Sequence, residues 1–146
     1  MKSKLIGSGA EQRYVLVLAT GDAVMEQLQR FAKENDLTAS NFTAIGAFSD
    51  ARIGFFDLRN EDYEAIAINE QVEVLSLVGD ITLDNGKPKI HAHVVVGKRD
   101  GTAHGGHLLE AHVRPTLEVV LTESPATLKR RSDPATGLAL IDIDES

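Results

Sequence analysis

Residues 13–20 read RYVLVLAT, with Val15 and Val17 facing one way and Leu16 and Leu18 the other. An apolar run on both faces predicts a strand with neighbours on either side. Gly21 stops it, and Asp22 stands where a helix N-cap is expected. Over residues 23–35 the spacing becomes helical. Val24, Met25, Leu28, Phe31 and Ala32 share one stripe, while Glu26, Gln27, Gln29, Arg30, Lys33 and Glu34 take the other side. That stripe is read as core. Asn35 and Asp36 end the helix, and Leu37 tucks in behind it. Residues 1–12 show no such pattern and are expected to be loose.

From Asn41 onward the pattern is that of strands. Residues 41–48 and 51–58 form two runs separated by a turn at Ser49 and Asp50. Gly46 and Gly54 inside them mark bulges or close backbone approach. Residues 63–68 alternate, and residues 72–83 form the longest strand, with Gly79 as its kink. Residues 84–88, DNGKP, are a turn. HAHVVV at 91–96 alternates and is β-branched. Lys98, Arg99, Asp100 and Gly101 then turn the chain, with a positive φ expected at the glycine. The chain returns over residues 102–113 to complete a hairpin. Pro115 opens a further strand, TLEVVLTE. Residues 126–131, ATLKRR, read as a short helical turn, 133–137 as a loop and 138–143 as a last strand.

One helix among eight or nine strands with short connections favours antiparallel pairing. The expected fold is α+β: a strongly twisted, mostly antiparallel β-sheet with one main covering helix. More apolar residues lie on the two faces than one helix can cover. Curling of the sheet or another copy of the chain must bury the rest, so an oligomer is expected. The 146 residues suit one domain, 1–146, with its core at about 12–143.

Composition narrows the function. The net charge of −7 disfavours unaided binding to a phosphate backbone. The absence of cysteine excludes disulfides, thiolate zinc sites and cysteine nucleophiles. No stretch approaches the roughly 20 apolar residues of a membrane span, and the first residues carry no leader pattern. The expected location is the cytoplasm.

All five histidines lie between Ile90 and Val113: His91, His93, His104, His107 and His112. His91 and His93 are two apart on a strand and share a face. The hairpin returns residues 104–107 opposite them, and Gly105 and Gly106 leave room beside the cluster. Convergent neutral imidazoles suit zinc, nickel, copper or iron, and three protein ligands with an open position is a catalytic zinc layout. A hydrogen-bonded packing cluster is the alternative. His104 competes with His107 for the third place, and His112 falls one strand-length away.

Several stretches together resemble the PPC (plants and prokaryotes conserved) domain. They are YVLVLATGD at 14–22, AIGAFSDARIGFF at 44–56, VEVLSLVGDI at 72–81, HAH at 91–93, GGHL at 105–108, PTLEVVL at 115–121 and LKRRSDPATGL at 128–138. The resemblance implies an α+β fold, a homotrimer and, by analogy with plant members, DNA binding. Plant members carry an Arg-Gly-Arg-Pro hook that enters the minor groove. This chain has none, and Lys129, Arg130 and Arg131 are its one basic cluster. The hairpin also resembles the metal site of α-acetolactate decarboxylase, which implies zinc on His91, His93 and His107. The loop before the third histidine is longer here, and that family's catalytic arginine and glutamates have no counterpart.

Three functions follow. The first is a stand-alone regulatory PPC module, trimeric, with a histidine-lined site for a divalent metal or small ligand. The second is a lyase-like metalloenzyme acting on a small carboxylate or carbonyl substrate, with Glu110 and Glu118 as the nearest carboxylates for acid–base work. The third is DNA binding through Lys129, Arg130 and Arg131.

Overall fold

A computed structural model describes residues 1–144. Nine strands and one helix succeed one another as β1 (Lys2–Ser8), β2 (Gln12–Ala19), α1 (Val24–Glu34), β3 (Ala39–Asp57), β4 (Asp62–Ile68), β5 (Val72–Asp84), β6 (Lys87–Gly97), β7 (Ala103–Glu123), β8 (Lys129–Ser132) and β9 (Ala139–Asp142). The strands form one sheet, ordered β1-β2-β7-β3-β5-β8-β9, with β4 beside β3 and β6 between β5 and β7. The pairing is antiparallel throughout except where Leu83 of β5 meets Lys129 of β8.

Two expected interruptions are absent. Ser49 and Asp50 do not turn the chain, because β3 stays paired with β7 on both sides of them, Phe48 opposite Val113 and Asp50 opposite His112. Three register shifts against β7 bend the strand instead. The segments 102–113 and 116–123 are likewise one strand, β7, which continues through the cis Arg114–Pro115 bond. Because both strands bend, each serves two sets of neighbours. Pairing runs β3–β5–β6–β7 and returns to β3. The sheet therefore curls upon itself.

Gly46 makes the bend possible. A Cβ there would lie 2.2 Å from the Thr116 carbonyl oxygen and 2.8 Å from the Leu117 Cα, at a φ of +153°. Gly79 differs from its expected role. It pairs regularly with Phe42 and Ala92, and β5 is irregular instead between Val74 and Ser76. An added Cβ at Gly79 would meet the Phe42 ring at 2.4 Å and the His91 carbonyl oxygen at 2.5 Å. The glycine admits the ring rather than kinking the strand.

The helix buries the predicted stripe. Val24, Leu28, Phe31 and Ala32 are buried, Met25 packs at the margin, and Leu37 is buried behind the helix end. The Phe31 ring meets Tyr14 edge-on at 5.2 Å. Facing them are Leu16, Leu18, Val94, Leu108, Val119 and Leu121, all in the same core. Asp22 is not the N-cap: Ala23 holds that place without a side-chain bond. The Asp22 carboxylate instead accepts the Ala19 N–H at 2.9 Å and pairs with the Met1 ammonium at 2.9 Å.

The ends of the chain also differ from expectation. Residues 2–8 are an edge strand against β2. The ladder holds them although Leu5 and Ile6 stay exposed, so no buried stripe marks them. The expected helical turn at 126–131 gives way to β8, which pairs with β9 from Lys129 opposite Asp142 to Ser132 opposite Ala139.

Gly46→Ala combines a positive-φ strain of about 1–3 kcal/mol with overpacking of similar size. The variant is expected to lose roughly 2–6 kcal/mol of stability in denaturant titration. An unchanged midpoint would mean that β3 and β7 tolerate a wider separation.

Candidate metal centre

The histidine cluster is made by strand register. His93 on β6 lies directly opposite His107 on β7, and His91 stands two residues before His93 on the same face. The His91 and His93 Nε2 atoms are 3.2 Å apart. The His107 ring stacks on His91 with centroids 5.3 Å apart and meets His93 edge-on at 5.5 Å. One ring nitrogen from each of the three lies within 4.8 Å of the others. With ligand bonds near 2.0–2.1 Å, modest side-chain adjustment brings all three onto one cation.

Glycines bring the strands together around this point. A Cβ at Gly106 would stand 2.8 Å from the Gly54 carbonyl oxygen, so the residue lets backbones approach rather than leaving open space. A Cβ at Gly54 would meet the Tyr63 ring at 2.7 Å. Without it, Tyr63 on β4 stacks on His107 with centroids 4.5 Å apart. Nothing in the alternating pattern of residues 63–68 marks Tyr63 as part of the site, because alternation does not reveal what lies opposite.

The electrostatics favour neutral imidazoles. Burial pushes the His107 pKa down to about 4, with the charges of His91 and His93 acting in the same direction. The buried His107 Nδ1 has no hydrogen-bond partner among the described residues. Burial also lowers His91, opposed by Asp80 and reinforced by Arg130 and His93. Three imidazole nitrogens, one of them buried and unpartnered, are a donor set that fits a borderline divalent cation.

The remaining histidines fall outside. His104 pairs with Val96, three residues before His107 and therefore on the opposite face. His112 lies opposite Asp50, whose carboxylate accepts its Nδ1–H at 2.8 Å and raises its pKa. Glu110 pairs with Arg52 at 3.5 Å. Glu118 lines an open groove with Ile45, Leu75 and Thr116. Neither carboxylate joins the histidine group.

The basic cluster is divided by strand alternation. Lys129 and Arg131 are exposed, and Arg131 pairs with Asp142 at 3.0 Å. Arg130 points inward with its side chain 5% exposed and bonds Asp80 at 2.5 Å. Asp80 lies opposite His91 in the β5–β6 register. Its signal in the sequence is a carboxylate between Gly79 and Ile81, deep in the apolar strand VEVLSLVGDITL, where a charge calls for a cationic partner.

A small curled sheet with one covering helix and a histidine cluster on its open face is an α+β domain. The family model of the Plants and Prokaryotes Conserved (PCC) domain matches residues 6–125. The chain belongs to this family, the PPC family whose motifs it carries. A candidate DNA-binding protein of Bacteroides thetaiotaomicron shares its structure at TM-score 0.90, with 26% identity over 97% of this chain and 98% of the other. A metal-containing protein of Archaeoglobus fulgidus matches at TM-score 0.83, with 33% identity over 97% and 96%. A Staphylococcus aureus protein similar to α-acetolactate decarboxylase shares the fold alone, at TM-score 0.52 and 16% identity over 73% of this chain and 50% of the other. Among curated proteins, the bifunctional protein GlmU of Synechococcus sp. (strain JA-3-3Ab) is 32% identical over 141 residues. The match covers 94% of this chain and 21% of GlmU, so the chain spans about a fifth of that protein's length. No helix of the described residues is long and apolar enough to cross a membrane.

In metal-free protein, NMR titration should show His107 as a late protonator, near pH 4, and His112 above its usual value of 6.5. The signs of their stability terms differ. Between pH 6.5 and about 4 the unfolded chain takes up a proton that folded His107 refuses, so stability falls as pH drops through that window. The His112 contribution is complete below 6.5 and is lost as pH rises through its raised pKa. A His107 resonance that titrates near 6.5 would show that the ring is not desolvated.

Proposed function

We propose that the protein is a regulatory PPC module that holds one divalent cation, zinc, on His91, His93 and His107. The convergence of three imidazoles, with the His107 Nδ1 buried and unpartnered, carries this reading. Zinc suits an all-imidazole donor set with no carboxylate among its ligands. The metal-containing relative from Archaeoglobus fulgidus supports it. A bound zinc would act as a Lewis acid toward a small anion or carbonyl group. The chain's own residues fit binding better than turnover, since Glu110 and Glu118 both stand apart from the histidines.

The module works as a homotrimer in this reading. The face turned away from the helix exposes Val17, Ile45, Leu75, Val78, Val95 and Val120, with Ile45 61% accessible. Val120, Thr43, Val78 and His93 are successive cross-strand partners, so the apolar face runs up to the histidines. Contiguous exposed apolar surface of this kind marks an interface, and the occupant proposed is another copy of the chain. Nucleic-acid contact is secondary. The net charge is −7, and Arg130 is committed to Asp80.

Protein purified without a histidine tag should contain one zinc per chain by elemental analysis. His93→Ala should abolish it and leave the fold intact, while His112→Ala should leave metal content unchanged. Absence of metal after zinc loading, or equal loss in both variants, would end the metal reading.

Light scattering should give about three times the 15.8 kDa chain mass. A mass near one chain would refute the trimer.

A further inference from the structure

Arg130 belongs to the basic cluster at 129–131, yet the fold turns it inward. Its Nε donates to the Thr82 Oγ1 at 2.7 Å, its Nη1 to the Ala139 carbonyl at 2.7 Å and its Nη2 to the Asp80 Oδ1 at 2.5 Å. Three donors in a rigid fork leave the guanidinium little freedom. Asp80 thereby has one oxygen fixed. Its other oxygen, Oδ2, lies 3.6 Å from the Nδ1 of His91. The opposite nitrogen of that ring, Nε2, faces the Nε2 of His93.

We propose that Asp80, held by Arg130, is the positioning residue of the metal centre: it keeps the His91 proton on Nδ1 and so presents the Nε2 lone pair to the cation. The proposal rests on the metal reading above. At 3.6 Å the contact is too long for a hydrogen bond, but a carboxylate at that range repels an imidazole lone pair and attracts an N–H. A neutral imidazole has one proton for two nitrogens. Setting it on the outer nitrogen decides which one can ligate. Arg130 also bonds the Ala139 carbonyl on β9. The β8–β9 hairpin, remote from the histidines in sequence, is thus an outer brace for the site.

The arrangement makes Asp80→Asn an informative change. Arg130 still needs an acceptor, so it claims the amide oxygen, and the amide NH2 then faces His91. A donor there reverses the preference and drives the His91 proton to Nε2. Long-range 15N–1H NMR on metal-free protein reads this directly. The wild type should show His91 as the Nδ1–H form and Asp80→Asn as the Nε2–H form. Zinc affinity by competition with a chelator should fall about 10–100-fold in the variant.

The double variant Asp80→Leu/Arg130→Met replaces the pair with apolar groups, which preserves folding where a lone buried cation would not. It should show a mixture of tautomers and a similar loss of affinity. A wild-type His91 protonated on Nε2 would overturn the proposal. So would variants that keep both the wild-type tautomer and the wild-type affinity. If the wild type binds no zinc, the metal reading fails, and the tautomer comparison still decides whether Asp80 positions His91.

Discussion

A Cβ at Gly46 would fall 2.2 Å from the Thr116 carbonyl oxygen, so β3 and β7 can run together there only because that position has no side chain. The rest of the architecture depends on this approach. β3 and β7, 19 and 21 residues long, are paired from Ser40 opposite Glu123 to Gly54 opposite His107. No flat sheet keeps two such strands in register while packing one helix against them. Bending lets the first half of β3 meet β5 and its second half meet β4, while β7 reaches from β2 to β6. The β6–β7 hairpin sets His107 opposite His93, and the bent β3 brings β4 alongside, so that Tyr63 stacks on His107.

Periodicity was informative wherever burial was one-sided. The stripe of Val24, Leu28, Phe31 and Ala32 marked the helix because those side chains reach the core. The His91 and His93 pair was legible for the same reason, since alternation alone puts them on one face. Gly101 has a φ of +84°, as the turn required. What the sequence concealed was long-range pairing. β1 leaves its apolar residues exposed, so nothing in its pattern separates it from a loose terminus. Ser49 and Asp50 resemble a turn by composition, yet Asp50 is polar because His112 stands opposite it. Lys129, Arg130 and Arg131 suggested a solvated helix face. Their true periodicity is two, with Arg130 turned toward an Asp80 that lies 50 residues earlier.

The cluster's electrostatics are set by its walls. Tyr63 covers one side of His107 and Gly106 holds the strands close, which excludes water and keeps the ring neutral. A cation arriving at neutral pH then displaces no proton from His107. The outer charge pair, Asp80 with Arg130, sits on the far side of His91. Its Asp80 carboxylate lies 3.6 Å from the His91 Nδ1, on the side of the ring away from His93.

The pairing of β2 with β7 sets a constraint on the order of synthesis. β2 ends at Ala19 and finds its partner at residues 116–123, and apart from β1 it has no other neighbour in the sheet. A ribosome has completed most of the chain before that partner exists. Until then Leu16 and Leu18 can be covered only by the helix that follows them. Contacts so distant in sequence slow the closing step and leave strand edges open to other chains. The nascent protein thus has a long interval in which its N-terminal part can form only the β1–β2 hairpin and the helix, with the other edge of β2 unpaired. Chaperone demand in the cell would fall on that interval, and it ends when β7 leaves the exit tunnel.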